Sequence, residues 1–114
     1  DLQQKAKEKG LPWEAAKAFD HSAPISKFVD KDTLGNVNNI DFSLFKNDKP
    51  VQQGNSSDMI FSIDTIIAYI SKFVTLKIGD LIFTGTPEGV GPVQVGDQLK
   101  GFIGSTQMLQ TDIL

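Results

Sequence analysis

Apolar residues in this chain fall in short runs, each closed by glycine, proline, asparagine or aspartate, and only residues 63–74 hold an apolar helical period over several turns. A chain punctuated in this way makes short strands joined by tight turns, with one amphipathic helix laid among them. It does not suit a helical bundle, nor the regular alternation of strands and helices that builds a parallel sheet. The expected fold is therefore β-dominated α+β, a sandwich or roll within one domain spanning residues 1–114.

The strand pattern is clearest at Ile40, Phe42 and Leu44, which alternate with Asp41, Ser43 and Phe45 as a half-buried strand requires. Asn47-Asp48-Lys49-Pro50 reads as a turn, and residues 51–53 as a returning hairpin arm. Ser22 to Val29 carries Pro24 and reads as irregular chain leading into a strand, and residues 30–39, with Gly35 and three asparagines, as a loop. Further strands are predicted at residues 81–84, 99–103 and 108–113. Gly79-Asp80 and Gly96-Asp97 stand before two of them as turn residues. In the helix, Ile63, Ile66, Ile67 and Ile70 share a face expected to pack on a sheet, and Ser62 is placed to cap the first turn. A second, polar helix is written into residues 2–9 and ended by Gly10, and Glu14 to Phe19 suits one helical turn. The chain opens directly into a helix-forming run, so further residues are expected upstream of Asp1.

Composition excludes several classes. The eleven lysines are scattered and the formal net charge is -3, which does not give the one-sided basic footprint that nucleic acid demands. There is no cysteine, hence no disulfide, thiolate metal site or cysteine nucleophile. No apolar run approaches the roughly 20 residues of a membrane span. The expectation is a soluble, cytoplasmic protein with no nucleic-acid or membrane partner.

The segment richest in chemical possibility is Gly85-Thr86-Pro87-Glu88-Gly89-Val90-Gly91, a tight backbone whose amides and threonine hydroxyl suit an anionic ligand, and which equally suits a plain surface turn. Lys17 stands among small and apolar residues, where a solvated lysine is unremarkable, and Asp20 and His21 lie beside it. A lone histidine next to an aspartate is more often structural than catalytic. Gln52-Gln53-Gly54-Asn55-Ser56-Ser57-Asp58-Met59 is a polar patch able to orient a carboxylate or keto oxygen, or to cap the helix that follows. No Glu-x-Glu pair, histidine cluster, nucleophile elbow or phosphate-binding glycine-lysine motif is present.

Three segments taken together go further. Lys9-Gly10-Leu11-Pro12-Trp13 through Lys17-Ala18-Phe19-Asp20, then Gln53-Gly54-Asn55-Ser56-Ser57-Asp58-Met59-Ile60-Phe61, then Gly79-Asp80 through Thr84-Gly85-Thr86-Pro87-Glu88-Gly89-Val90-Gly91-Pro92 resemble, in order and spacing, the C-terminal part of the fumarylacetoacetate hydrolase family. The resemblance implies a mixed β-roll, a Mg2+ or Mn2+ ion, a small keto-acid substrate and a homodimer. It also implies hydrolysis of a C–C bond in acylpyruvate-type acids, or decarboxylation or isomerisation of related keto acids. Lys17 resembles the family's active-site lysine and Thr86, next to Gly85, the threonine that binds the substrate carboxylate. Gln53 is a further candidate for substrate contact. His21 stands where some relatives carry a small hydroxyl residue behind the metal ligands. The family's metal-binding carboxylates and water-activating His-Glu pair correspond to positions upstream of Asp1, so no metal ligand is assigned within the chain and His21 is not given the water-activating role. A non-catalytic β-rich binding or assembly domain is the alternative from outside enzymology.

Overall fold

The hairpin at the centre of the molecule is set by its turn. Asn47 and Asp48 both take positive φ, 50° and 62°, the pairing that lets a two-residue connection follow the twist of its strands. In the computed structural model, which describes residues 2–114, this turn joins β1 (Asp41–Lys46) to β2 (Lys49–Asn55). Two further strands, β3 (Gln98–Ile103) and β4 (Thr106–Asp112), extend the sheet to an antiparallel order β2-β1-β3-β4. Pro50 is accommodated because β2 lies at the edge, where a missing N–H costs no ladder bond. The β-dominated α+β class expected from the sequence holds, as do its strands near 41–46, 98–103 and 106–112.

The ladder is not regular. Leu44 faces Gln52 and Phe45 faces Pro50, so Val51 is an extra residue and β2 bulges there. One sheet face then carries Phe42, Leu44, Gln52, Gly54 and Gly101. The other carries Ser43, Phe45, Gln53 and Phe102, with the Phe45 and Phe102 rings edge to face at 5.3 Å.

A polar clasp fixes the hairpin turn to the start of β3. Asn47 donates from Nδ2 to Asp97 Oδ1 at 2.7 Å and accepts from the Gln98 amide at 2.9 Å. Asp97 also accepts from the Gln94 amide at 2.8 Å and lies 3.8 Å from the Lys46 ammonium. The Gln94 amide, then Asn47 and Lys46, hold its carboxyl below the usual carboxylate range.

The helices sit to the side of this sheet. They are α1 (Leu2–Lys9), the single turn α2 (Glu14–Lys17) and α3 (Ile63–Ile70). Ser62 caps α3 as expected, its Oγ accepting from the Thr65 amide at 3.3 Å. The predicted helix over 63–74 is shorter as a regular element: Ser71 turns its hydroxyl back onto Ile67 O, and the chain leaves in looser turns through Val74. The apolar face of α3 does not make the expected extensive contact with the sheet.

Two strand expectations are corrected. Residues 81–84 and the chain after Ser22 are apolar enough for strands but join no ladder among the described residues, and a strand exists only through its partner. The same openness appears in burial. Ala6 is the only buried apolar side chain among the described residues, while Ile60, Phe61, Phe73, Ile78 and Phe83 are exposed. The radius of gyration is 15.8 Å, against about 13 Å for a compact domain of this length.

Candidate active site

The glycine-proline loop that follows residue 84 lies across the Phe42–Leu44 face of the sheet and is held at both ends. Near its start, Gln52 of β2 donates from Nε2 to Thr86 Oγ1 at 2.9 Å, Pro87 O at 3.1 Å and Glu88 O at 3.3 Å. At its far end the Lys46 ammonium donates to Pro92 O at 3.1 Å. Between these anchors the backbone comes so close to β2 that a Cβ on Gly89 would collide with Val51 O. Gly89 also takes φ 99°, so both space and conformation require glycine there. Gly54 plays the corresponding part on the strand: the Phe42 ring lies across it, with Pro87 next to it.

These contacts shape a shallow hollow of about 330 Å³ whose wall includes Phe42, Leu44, Gln52, Gly85, Thr86 and Pro87. Its floor is apolar, and its polar groups are concentrated at Thr86 and Gln52. Such a hollow suits a small ligand with an apolar or flat body and one oxygen-rich end.

The sequence candidates divide. Gly85 and Thr86 line this hollow. Gln53 lies on the other side of the sheet, in a second hollow with Asp41, Asn55 and Asp58. It is its neighbour Gln52 that reaches Thr86, a residue the sequence reading did not single out. Lys17 ends α2 and His21 follows in the next turn, both exposed. The Lys17 ammonium makes no hydrogen bond or ion pair with another described residue. His21 sits at φ 63°, in a turn closed by the Ser22 amide on Phe19 O at 3.0 Å. Asp58 belongs to a single 3-10 turn (Ser56–Asp58) capped by Asn55, not to the first turn of α3.

Among the described residues, no group of three or more histidine, aspartate or glutamate side chains converges as a metal centre would need. The described residues do not by themselves fit a divalent ion, and no helix among them is long and apolar enough to cross a membrane.

Residues 1–112 match the family model described as fumarylacetoacetate (FAA) hydrolase, C-terminal. The chain belongs to the fumarylacetoacetate hydrolase family. Within this family it is 52% identical over 100 residues to the oxaloacetate tautomerase YcgM of Escherichia coli strain K12, covering 87% of this chain and 46% of that protein. It is 44% identical over 115 residues to the mitochondrial oxaloacetate decarboxylase of Dictyostelium discoideum, covering 100% and 53%. The solved fumarylpyruvate hydrolase of Pseudomonas aeruginosa, in complex with Mn2+ and pyruvate, superposes with a TM-score of 0.91 at 38% identity, over 100% of this chain and 49% of that one. The chain thus spans about half the length of the curated relatives it matches. Members of the fumarylacetoacetate hydrolase family are enzymes, and these three relatives carry a tautomerase, a decarboxylase and a hydrolase name on one shared fold.

Proposed function

We propose that this chain is the C-terminal part of the catalytic domain of an enzyme that handles the enolate of a short 2-keto acid, and that its principal reaction is keto–enol isomerisation of oxaloacetate. The observation that carries this reading is the 52% identity over 100 residues to an oxaloacetate tautomerase. The three reactions named among the relatives have one kind of species in common, the enolate of a 2-keto acid. Tautomerisation removes the enol proton and returns a proton to carbon through an enolate; decarboxylation and C–C hydrolysis both expel the enolate of pyruvate.

In this reading the Thr86 hydroxyl donates to the carboxylate of the keto acid, and Lys17 supplies a fixed positive charge toward the enolate oxygen as it forms. Gly85 keeps the loop tight enough to present Thr86, while Gln53, on the other face of the sheet, takes no part in this hollow. A bound divalent ion, Mg2+ or Mn2+, supplies Lewis-acid chemistry to the whole enzyme, on ligands outside these residues, and the enzyme works as a homodimer. Hydrolysis of acylpyruvates is the second reading, favoured by the close superposition on the fumarylpyruvate hydrolase.

The test follows loss of enol absorbance when the whole protein is given enol-oxaloacetate or acetylpyruvate with Mg2+. Turnover of oxaloacetate is expected to exceed that of acetylpyruvate. Thr86→Val should raise KM about tenfold to a hundredfold, the worth of a hydrogen bond to a charged group. Lys17→Met should lower kcat by about a hundredfold or more. A whole protein inactive on both acids would sink the reading and favour a binding or assembly role.

A further inference from the structure

We infer that Gln52 is a positioning residue that turns the proton of the Thr86 hydroxyl away from the strand and toward the ligand; the inference rests on the proposal that Thr86 binds a substrate oxygen. The argument begins with the amide of Gln52. One end of it faces two backbone carbonyls, Pro87 O at 3.1 Å and Glu88 O at 3.3 Å. Carbonyl oxygens only accept, so the end facing them must be the NH2 group, and the orientation of the amide is decided. The same nitrogen lies 2.9 Å from Thr86 Oγ1. An amide nitrogen does not accept, so Thr86, the nearest of three acceptors sharing two N–H groups, cannot donate to it, and its own proton points away from Gln52.

Among the described residues that proton is donated to no protein group. Thr86 is exposed in the hollow, where its hydroxyl is a donor of settled direction awaiting an acceptor. Such a group selects ligands that present an unprotonated oxygen, a carboxylate or a keto oxygen. Gln52 is half-buried between Leu44 and the loop, and three contacts of its Nε2 hold the amide in place. The adjacent Gln53 cannot substitute, because it lies on the other face of the sheet.

The experiment measures KM and kcat of the whole, metal-loaded protein for enol-oxaloacetate in wild type, Gln52→Met, Thr86→Val and the double variant. Methionine keeps the length of glutamine and removes its donor. If Gln52 acts through Thr86, Gln52→Met raises KM about tenfold with kcat changed less than threefold, and the double variant is no worse than Thr86→Val alone. A KM within twofold of wild type overturns the inference, as does a double variant whose loss is the product of the two single losses. A protein in which wild type is active and Thr86→Val has no effect refutes the substrate role of Thr86 instead, which separates the two failures. Gln52→Glu gives a second route should the methionine variant not fold. Its carboxylate makes Thr86 donate inward at neutral pH, and its protonated form restores the donor. The KM ratio to wild type is expected to fall at least threefold from pH 7.5 to 5, and a ratio independent of pH overturns the inference.

Discussion

Among single residues, the two neighbouring glutamines show what a sequence can and cannot convey. Counted by strict alternation from the Asn47–Asp48 turn, Gln53 would share the face of Phe42 and Leu44, and Gln52 would lie behind it. The extra residue at Val51 reverses that parity, and Gln52 comes to face Leu44 and the loop. Nothing in the side chain of Val51 announces a bulge, so the choice between the glutamines was not legible before the ladder was seen. Thr86 and Gly85 were legible, because a glycine-threonine-proline run restricts its own backbone wherever it is placed. His21 is a residue of another kind. Its φ of 63° costs an ordinary side chain roughly 1–2 kcal/mol, partly offset by the greater freedom glycine has to lose. His21→Gly is therefore expected to raise stability by up to about 1 kcal/mol, measured by urea denaturation; a loss of that size would mean that the imidazole makes a contact worth more than the strain.

Elements were read well where their signals are local. The turn after Lys46, the Ser62 cap and the strand β1 each depend on signals within a few residues, and each is found, the turn shortened to Asn47-Asp48 with Lys49 and Pro50 taken into β2 and β1 half-buried along Phe42 to Lys46 rather than alternately. Residues 81–84 carry the composition of a strand yet pair with nothing described, since partnership is a property of the fold and not of the segment. The clasp joining the hairpin turn to β3 was likewise invisible, because Asn47 and Asp97 lie fifty residues apart in sequence. It carries a pH dependence whose sign is settled. Asp97 has its carboxyl lowered in the folded chain, so its contribution to stability is complete above the unfolded carboxylate range and disappears as pH falls through the lower, folded value. Asp97→Asn should flatten the acid limb of a stability-against-pH curve below about pH 4, where carboxylates ordinarily titrate. An acid limb unchanged in this variant would show that the clasp carries no net linkage.

For the molecule as a whole, the class and the broad order of strands follow from punctuation of the apolar pattern, whereas the extent of burial does not. Amphipathic α3 and the apolar run at 81–84 each suggest a covered face, and the structure leaves both largely open. With Ala6 the sole buried apolar side chain described, unfolding this chain wets less apolar surface than unfolding an ordinary domain of this size. Its heat-capacity increment should then fall well below the roughly 12–15 cal/mol/K per residue of ordinary domains, and the urea m-value should fall with it. Calorimetry of the 114-residue chain checks this, and an increment in the ordinary range would mean that the apolar side chains find cover in solution. A small increment also bends the stability curve less, so such a chain would neither gain much from moderate cooling nor meet cold denaturation early. Its tolerance of temperature would be governed by hydrogen bonds and chain entropy, with water playing a smaller part than it does in most proteins of this size.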